Sequence, residues 1–180
     1  MTREYSLAHL SMIGVPPARL ADVAAGAGFE WFSLRLTPSP STGVDHGHLG
    51  DEHALESLRR HIDGSGARLL DLEVVRMKGP ESVDEAVPLL EAAQALGARY
   101  VIATVEDPDP VRRVETLSAL ADAAARHSTS IAVARDEARP HALGARGRRI
   151  RRRPGTVGIA DLGVGHQCRI DGSELGQGAP

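Results

Sequence analysis

The chain has 180 residues and a formal charge of −3, long enough for one domain with a sizeable core. Its single cysteine, Cys168, excludes an intramolecular disulfide and a cysteine-based metal cluster. No apolar run approaches the roughly 20 residues that cross a bilayer, and no basic-then-apolar leader opens the sequence, so the expectation is a cytoplasmic protein without a membrane partner.

The charge is unevenly spread. Residues 1–134 hold 12 Lys+Arg and 19 Asp+Glu, a net −7, whereas residues 135–180 hold 9 and 5, a net +4. That shift marks a composition boundary near Val133. The tail's basic residues are all Arg, with no aromatic side chain for base stacking, which disfavours nucleic acid as a partner.

In chain order, residues 6–13 read as a first strand that Gly14 ends. Pro16 and Pro17 then open a helix with Leu20, Val23, Ala24 and Ala27 at helical spacing. Residues 29–36 are a second strand holding the one Trp and both Phe residues, followed by a polar loop over 37–50. Asp51 caps a helix with Leu55, Leu58 and Ile62 on one face, closed by Gly64 and Gly66. Residues 68–76 form a third strand. Ser82 and Glu85 have capping-box spacing for its helix, and Pro88 predicts a distortion in the second turn.

Residues 99–105 are a nearly all-apolar fourth strand, as expected where both faces are covered. A loop through Asp107 and Asp109 leads to a helix with Val114, Leu117, Leu120 and Ala124 in phase. A fifth strand starts at Ser130, and then the pattern stops. Units of about 30 residues, strand then helix, imply an α/β protein with a parallel sheet, open or closed into a barrel.

In such architectures the chemistry gathers at the carboxyl ends of strands. That rule selects His9, Arg35, Glu73, Arg76 and Glu106. Glu73, flanked by Leu70, Leu72 and Val74, is the leading catalytic candidate. A carboxylate there needs a cation such as Arg35 or Arg76, either for chemistry or as a structural ion pair. His9 reads as a packing histidine or a substrate contact. His46, His48 and His53 with Asp45 lack the helical spacing of a His-based zinc motif and read as a solvated polar loop. Gly163 and Gly165 lack a third glycine and a preceding strand for a dinucleotide loop.

The segments Ser6–Leu10, Ala24–Glu30, Leu70–Arg76 and Ala95–Val101 together resemble the sugar phosphate isomerase/epimerase group within the xylose isomerase-like TIM barrels. The resemblance covers residues 5–134. It implies the N-terminal half of a TIM (β/α)8 barrel, four βα units plus a fifth strand; residues 135–180, rich in Arg and Gly without sustained periodicity, read as an irregular, disordered tail. It also implies a divalent metal (Mn, Mg or Zn) in the complete fold and a small sugar or hydroxy-acid substrate that undergoes proton transfer between neighbouring carbons. Relatives of the group include epimerases, hydroxypyruvate isomerases, dehydratases and endonucleases of abasic DNA.

The family's metal ligands begin with a Glu on the fifth strand, where this chain has Arg135, so no metal ligand carries over. His9, Arg35, Glu73 and Arg76 carry over only as mouth-lining candidates for substrate contact; the catalytic candidacy of Glu73 rests on its place in the third strand, with His9, Arg35 and Arg76 as substrate-binding residues. The tail's composition fits an out-of-frame reading of GC-rich DNA, with a natural low-complexity tail as the alternative. The expected function is isomerase/epimerase-like chemistry in the complete form. The alternatives are an abasic-site endonuclease relative, or an inactive half-barrel without a cofactor that at most forms a homodimer through its open face.

Overall fold

The computed structural model describes residues 5–40 and 42–134, together with the backbone of two strands at 158–163 and 167–169. Five parallel strands run in sequence order: β1 (Ser6–Leu7), β2 (Trp31–Arg35), β3 (Arg68–Met77), β4 (Tyr100–Val105) and β5 (Ser130–Ala134). The helices between them are α1 (Pro17–Gly26), α2 (Glu52–Ser65), α3 (Ser82–Glu85), α4 (Val87–Leu96) and α5 (Pro110–Arg126). β6 (Gly158–Gly163) continues the sheet parallel to β5, and β7 (Gln167–Arg169) returns antiparallel to it. Both strands fall within the tail expected from sequence. The rest of the expected tail lies outside the described residues. No helix among the described residues is long and apolar enough to cross a membrane.

The helices cover one face of the sheet. Leu20, Leu34, Leu58, Leu72, Leu90, Val101, Leu120 and Ile131 are buried there in one continuous core. On the opposite, inner face a small cluster of Ile102, Ala132 and Ala134 packs with Val74 and Tyr100. The sheet is therefore apolar toward the helices and mixed within.

Two local features differ from the sequence reading. The first strand is only two residues long, because the chain turns into a 3₁₀ segment at His9–Met12. His9 thus lies just past β1 and not inside a strand. Ser82 does not cap its helix. Its hydroxyl accepts from the backbone N–H groups of Lys78 and Gly79 and donates to the Arg76 carbonyl, tying the helix start back to β3. As Pro88 predicts, the helical stretch is interrupted, with α3 and α4 separated at Ala86, since proline has no N–H to continue the ladder. Asp51 caps α2 through Ala54 N–H as expected, and Asp109 caps α5 through Val111 and Arg112.

β3 carries two irregularities. Its register with β2 skips Leu70, and its register with β4 skips Val74, where the Glu73–Val74 peptide is cis. Side chains alternate between faces along a strand, so one skipped residue reverses the parity beyond it. Asp71 and Glu73 face inward before the second skip, and Val74 and Arg76 face inward after it, while Leu72, Val75 and Met77 go to the helix side.

Candidate active site

The inward-facing residues of β2, β3 and β4 enclose a cavity of about 360 Å3 at the carboxyl end of the sheet. Ser33, Arg35, Asp71, Glu73, Arg76 and Glu106 supply its polar wall, and Val74, Ile102 and Ala134 its apolar one. Four of the five residues selected from sequence, Arg35, Glu73, Arg76 and Glu106, share this cavity. The fifth, His9, does not line it.

His9 is fully buried behind the wall. Its Nε2 lies 2.8 Å from the Val15 carbonyl, which can only accept, so that nitrogen carries the hydrogen. Its Nδ1 lies 3.0 Å from Arg35 N–H, which can only donate, so that nitrogen is bare. The ring is therefore neutral. Burial is the main cause that lowers its pKa, with the nearby His46 and Arg35 acting in the same direction. The ring replaces a β1 carbonyl as partner of Arg35 N–H, which is how β1 can end so early. His46 stacks on it at 5.0 Å with the planes 15° apart and lies 3.1 Å from the Ile13 carbonyl through its own Nε2. The loop histidine read as solvated is docked against the site.

Glu73 accepts a hydrogen bond from the Ser33 hydroxyl at 3.1 Å, and Ser33 in turn lies 3.4 Å from His9 N–H. The Thr37 hydroxyl bridges the same stretch of β3, donating to the Glu73 carbonyl and accepting from Val74 N–H. Arg76, one of the two cations expected for Glu73, is engaged elsewhere. It forks onto Glu106 at 2.6 and 2.9 Å, an arrangement that holds the Glu106 carboxyl below its usual range. Arg35 is half-buried, and its Nε is enclosed without a hydrogen-bond partner among the described residues. A guanidinium held in a cavity in this way is suited to an anionic group brought by a ligand.

Asp71 was not singled out by sequence reasoning. It is 2 % exposed and lines the cavity beside Glu73. Burial, and then the neighbouring Glu73 charge, push its carboxyl pKa well above the ordinary value. The available signal was an Asp two residues before Glu73 in an otherwise apolar run, which puts both carboxyls on one face.

A divalent metal does not fit the described residues. They contain no group of three or more His, Cys, Asp or Glu side chains placed to hold one. Among the described residues of the cavity, Glu106 is tied to Arg76, and burial disfavours the charged form of Asp71 that a metal would need, so Glu73 is the one remaining carboxylate, too few for a metal site.

Parallel strands alternating with helices, and ionisable side chains gathered at the strands' carboxyl ends, define a partial α/β barrel. The particular fold is that of the xylose isomerase-like TIM barrels. A xylose isomerase domain containing protein from Salmonella typhimurium LT2 superimposes with a TM-score of 0.59 at 19% identity, over 74% of this chain and 51% of that one. The IolI protein, in a crystal structure with a bound zinc atom, matches with a TM-score of 0.56 at 17% identity, over 72% of this chain and 50% of its own. An AP endonuclease of family 2 from Brucella melitensis gives 0.52 at 17% identity, over 74% and 55%. The chain thus spans about half the length of these structures. No protein-family model matches the sequence, and no curated protein is significantly similar to it.

Proposed function

We propose that the cavity binds a small anionic hydroxy-carbonyl compound, a sugar phosphate or hydroxy acid, and shifts a proton between its neighbouring carbons. The observation that carries this reading is the meeting of Glu73 and Arg35 in one cavity at the carboxyl end of the sheet. Glu73, with the Ser33 hydroxyl on Oε1, is the base that takes the proton from carbon. Arg35 holds the substrate's anionic group, and Arg76, fixed by Glu106, forms a cationic rim beside it. His9 is a positioning residue that acts through the backbone of Arg35.

The zinc of the IolI structure belongs to that protein, and the proton transfer proposed here uses side chains alone. The likeness to an AP endonuclease is not carried over, because residues 1–134 are net acidic and a DNA-binding face needs positive charge.

Dihydroxyacetone phosphate, a minimal phosphorylated hydroxyketone, is a suitable probe. Calorimetry should show that it binds and that Arg35→Gln weakens binding by roughly 10-fold or more, the scale of one charge-assisted hydrogen bond. Glu73→Gln should keep binding but abolish deuterium uptake from D2O into the hydroxymethyl carbon. Equal affinity for uncharged dihydroxyacetone, or exchange that survives Glu73→Gln, would overturn the proposal.

A further inference from the structure

We infer that Asp71 is the acid of this cavity, the group that hydrogen-bonds and protonates a ligand oxygen while Glu73 acts as base. The inference rests on the proton-transfer reading of the site and adds a residue and a role to it.

The geometry comes first. Asp71 and Glu73 are two residues apart on β3 and face the same cavity, so one ligand can meet both. Asp71 lies deeper, at 2 % exposure, on the cavity wall. A buried carboxyl that faces a cavity is placed to meet a polar atom of a ligand, which would offset the cost of its burial. The two carboxyls also have unlike surroundings. The Ser33 hydroxyl donates to Glu73 at 3.1 Å, whereas Asp71 sits deeper in the wall, where burial is the main influence on it. Environments that push two carboxyls apart separate base from acid.

The ionisable groups around Asp71 agree with this division. β2 brings Arg35, and β3 brings Glu73 and Arg76. β4 brings Tyr100, in register with Asp71, and Glu106 follows it. β5 (Ser130–Ala134) brings none. Of the neighbouring charges, that of Glu73 acts on Asp71 in the same direction as burial, favouring the protonated form.

In the step itself, Glu73 takes the proton from the carbon next to the carbonyl. The C–H pair becomes the new C=C bond, and the carbonyl π pair takes the proton from Asp71, giving an enediol. Glu73 then returns its proton to the former carbonyl carbon, and the neighbouring hydroxyl gives a proton back to Asp71 as it becomes the new carbonyl. One base returns the proton to the face it came from, so the reaction is isomerisation between neighbouring carbons.

Infrared spectroscopy of the full chain, with 13C-labelled Asp carboxyls, tests the inference. The wild type should show a protonated-carboxyl band at pH 7 that Asp71→Asn removes and that shifts when dihydroxyacetone phosphate is added. A band absent at pH 7, or unmoved by the probe at saturation, overturns the role of Asp71. Deuterium uptake into the same probe should fall roughly 100-fold in Asp71→Asn, the scale of general-acid catalysis, and an unchanged rate overturns the role equally. A shifted band in a wild type that exchanges no hydrogen would uphold Asp71 as ligand donor and overturn the proton-transfer reading instead.

Discussion

At the scale of the residue, burial disfavours the charged form of both His9 and Asp71, and they give stability opposite pH slopes. His9 has its pKa lowered by burial, so over part of the acidic range the unfolded chain binds a proton that the folded chain refuses. Its contribution is present above the unfolded value of about 6.5 and is lost as pH falls from there toward the folded pKa. Asp71 has its pKa raised, so the folded chain holds a proton that the unfolded chain releases above about 3.9. Its contribution is present below that value and is lost as pH rises toward the folded pKa. Urea midpoints measured across pH 4 to 8 should therefore separate two variants. His9→Gln should flatten the acid-side loss, and Asp71→Asn should gain on the wild type as pH rises. Curves that run parallel to the wild type would contradict both assignments. Residue roles were only partly legible beforehand. Glu73, Arg35 and Arg76 fall at strand ends, where a positional rule finds them. The Asp71 environment depends on tertiary burial, and the His9–His46 stack joins residues 37 apart through a loop with no periodic signal.

At the scale of the element, glycines make the helix ends. α2 closes at Gly66 with φ 90° and α4 at Gly97 with φ 72°, both in the left-handed region that a side chain resists. The two sites differ in surroundings. A Cβ on Gly66 would meet nothing within 4 Å, whereas one on Gly97 would come within 2.7 Å of Arg59 Nη1. Gly66→Ala should cost about 1–2 kcal/mol from backbone conformation alone. Gly97→Ala should cost the same plus the displacement of Arg59, which also contacts the Ala95 carbonyl at the end of α4. Because Arg59 is long and partly exposed, the extra loss should stay below about 1 kcal/mol, the worth of an exposed polar contact. Denaturant unfolding checks both, and an unchanged Gly66→Ala midpoint would refute the strain argument. These helix ends were legible, as were β2 to β5, because glycine punctuation and apolar runs are local signals. β1 was not: His9 diverts the chain through a bond to Arg35, 26 residues away. The skipped residues in β3 were equally hidden, since an irregular register is a property of two strands and not of one.

At the scale of the whole molecule, the sheet divides its labour between faces, and stability should divide with it. Ile131 and Ile102 allow a controlled comparison. They sit on adjacent strands, β5 and β4, and both are almost wholly buried at 0 and 4 % exposure. Ile131 belongs to the continuous helix-side core with Leu72, Leu90 and Leu120, whereas Ile102 belongs to the small inner cluster and also lines the cavity. Truncating Ile131 to Ala removes the same atoms as truncating Ile102, but it leaves a void enclosed by packed side chains. A loss of about 2–5 kcal/mol is expected there. At Ile102 the vacated space opens into the existing cavity, so little new enclosed void forms and the loss should lie at or below the lower end of that range. Equal losses would mean that the inner face is packed as tightly as the outer one. That result would contradict a cavity of about 360 Å3 against Ile102. The expected inequality follows from a layout in which the helix-side layer holds the fold, leaving the inner face to carry Ser33, Arg35, Asp71 and Glu73.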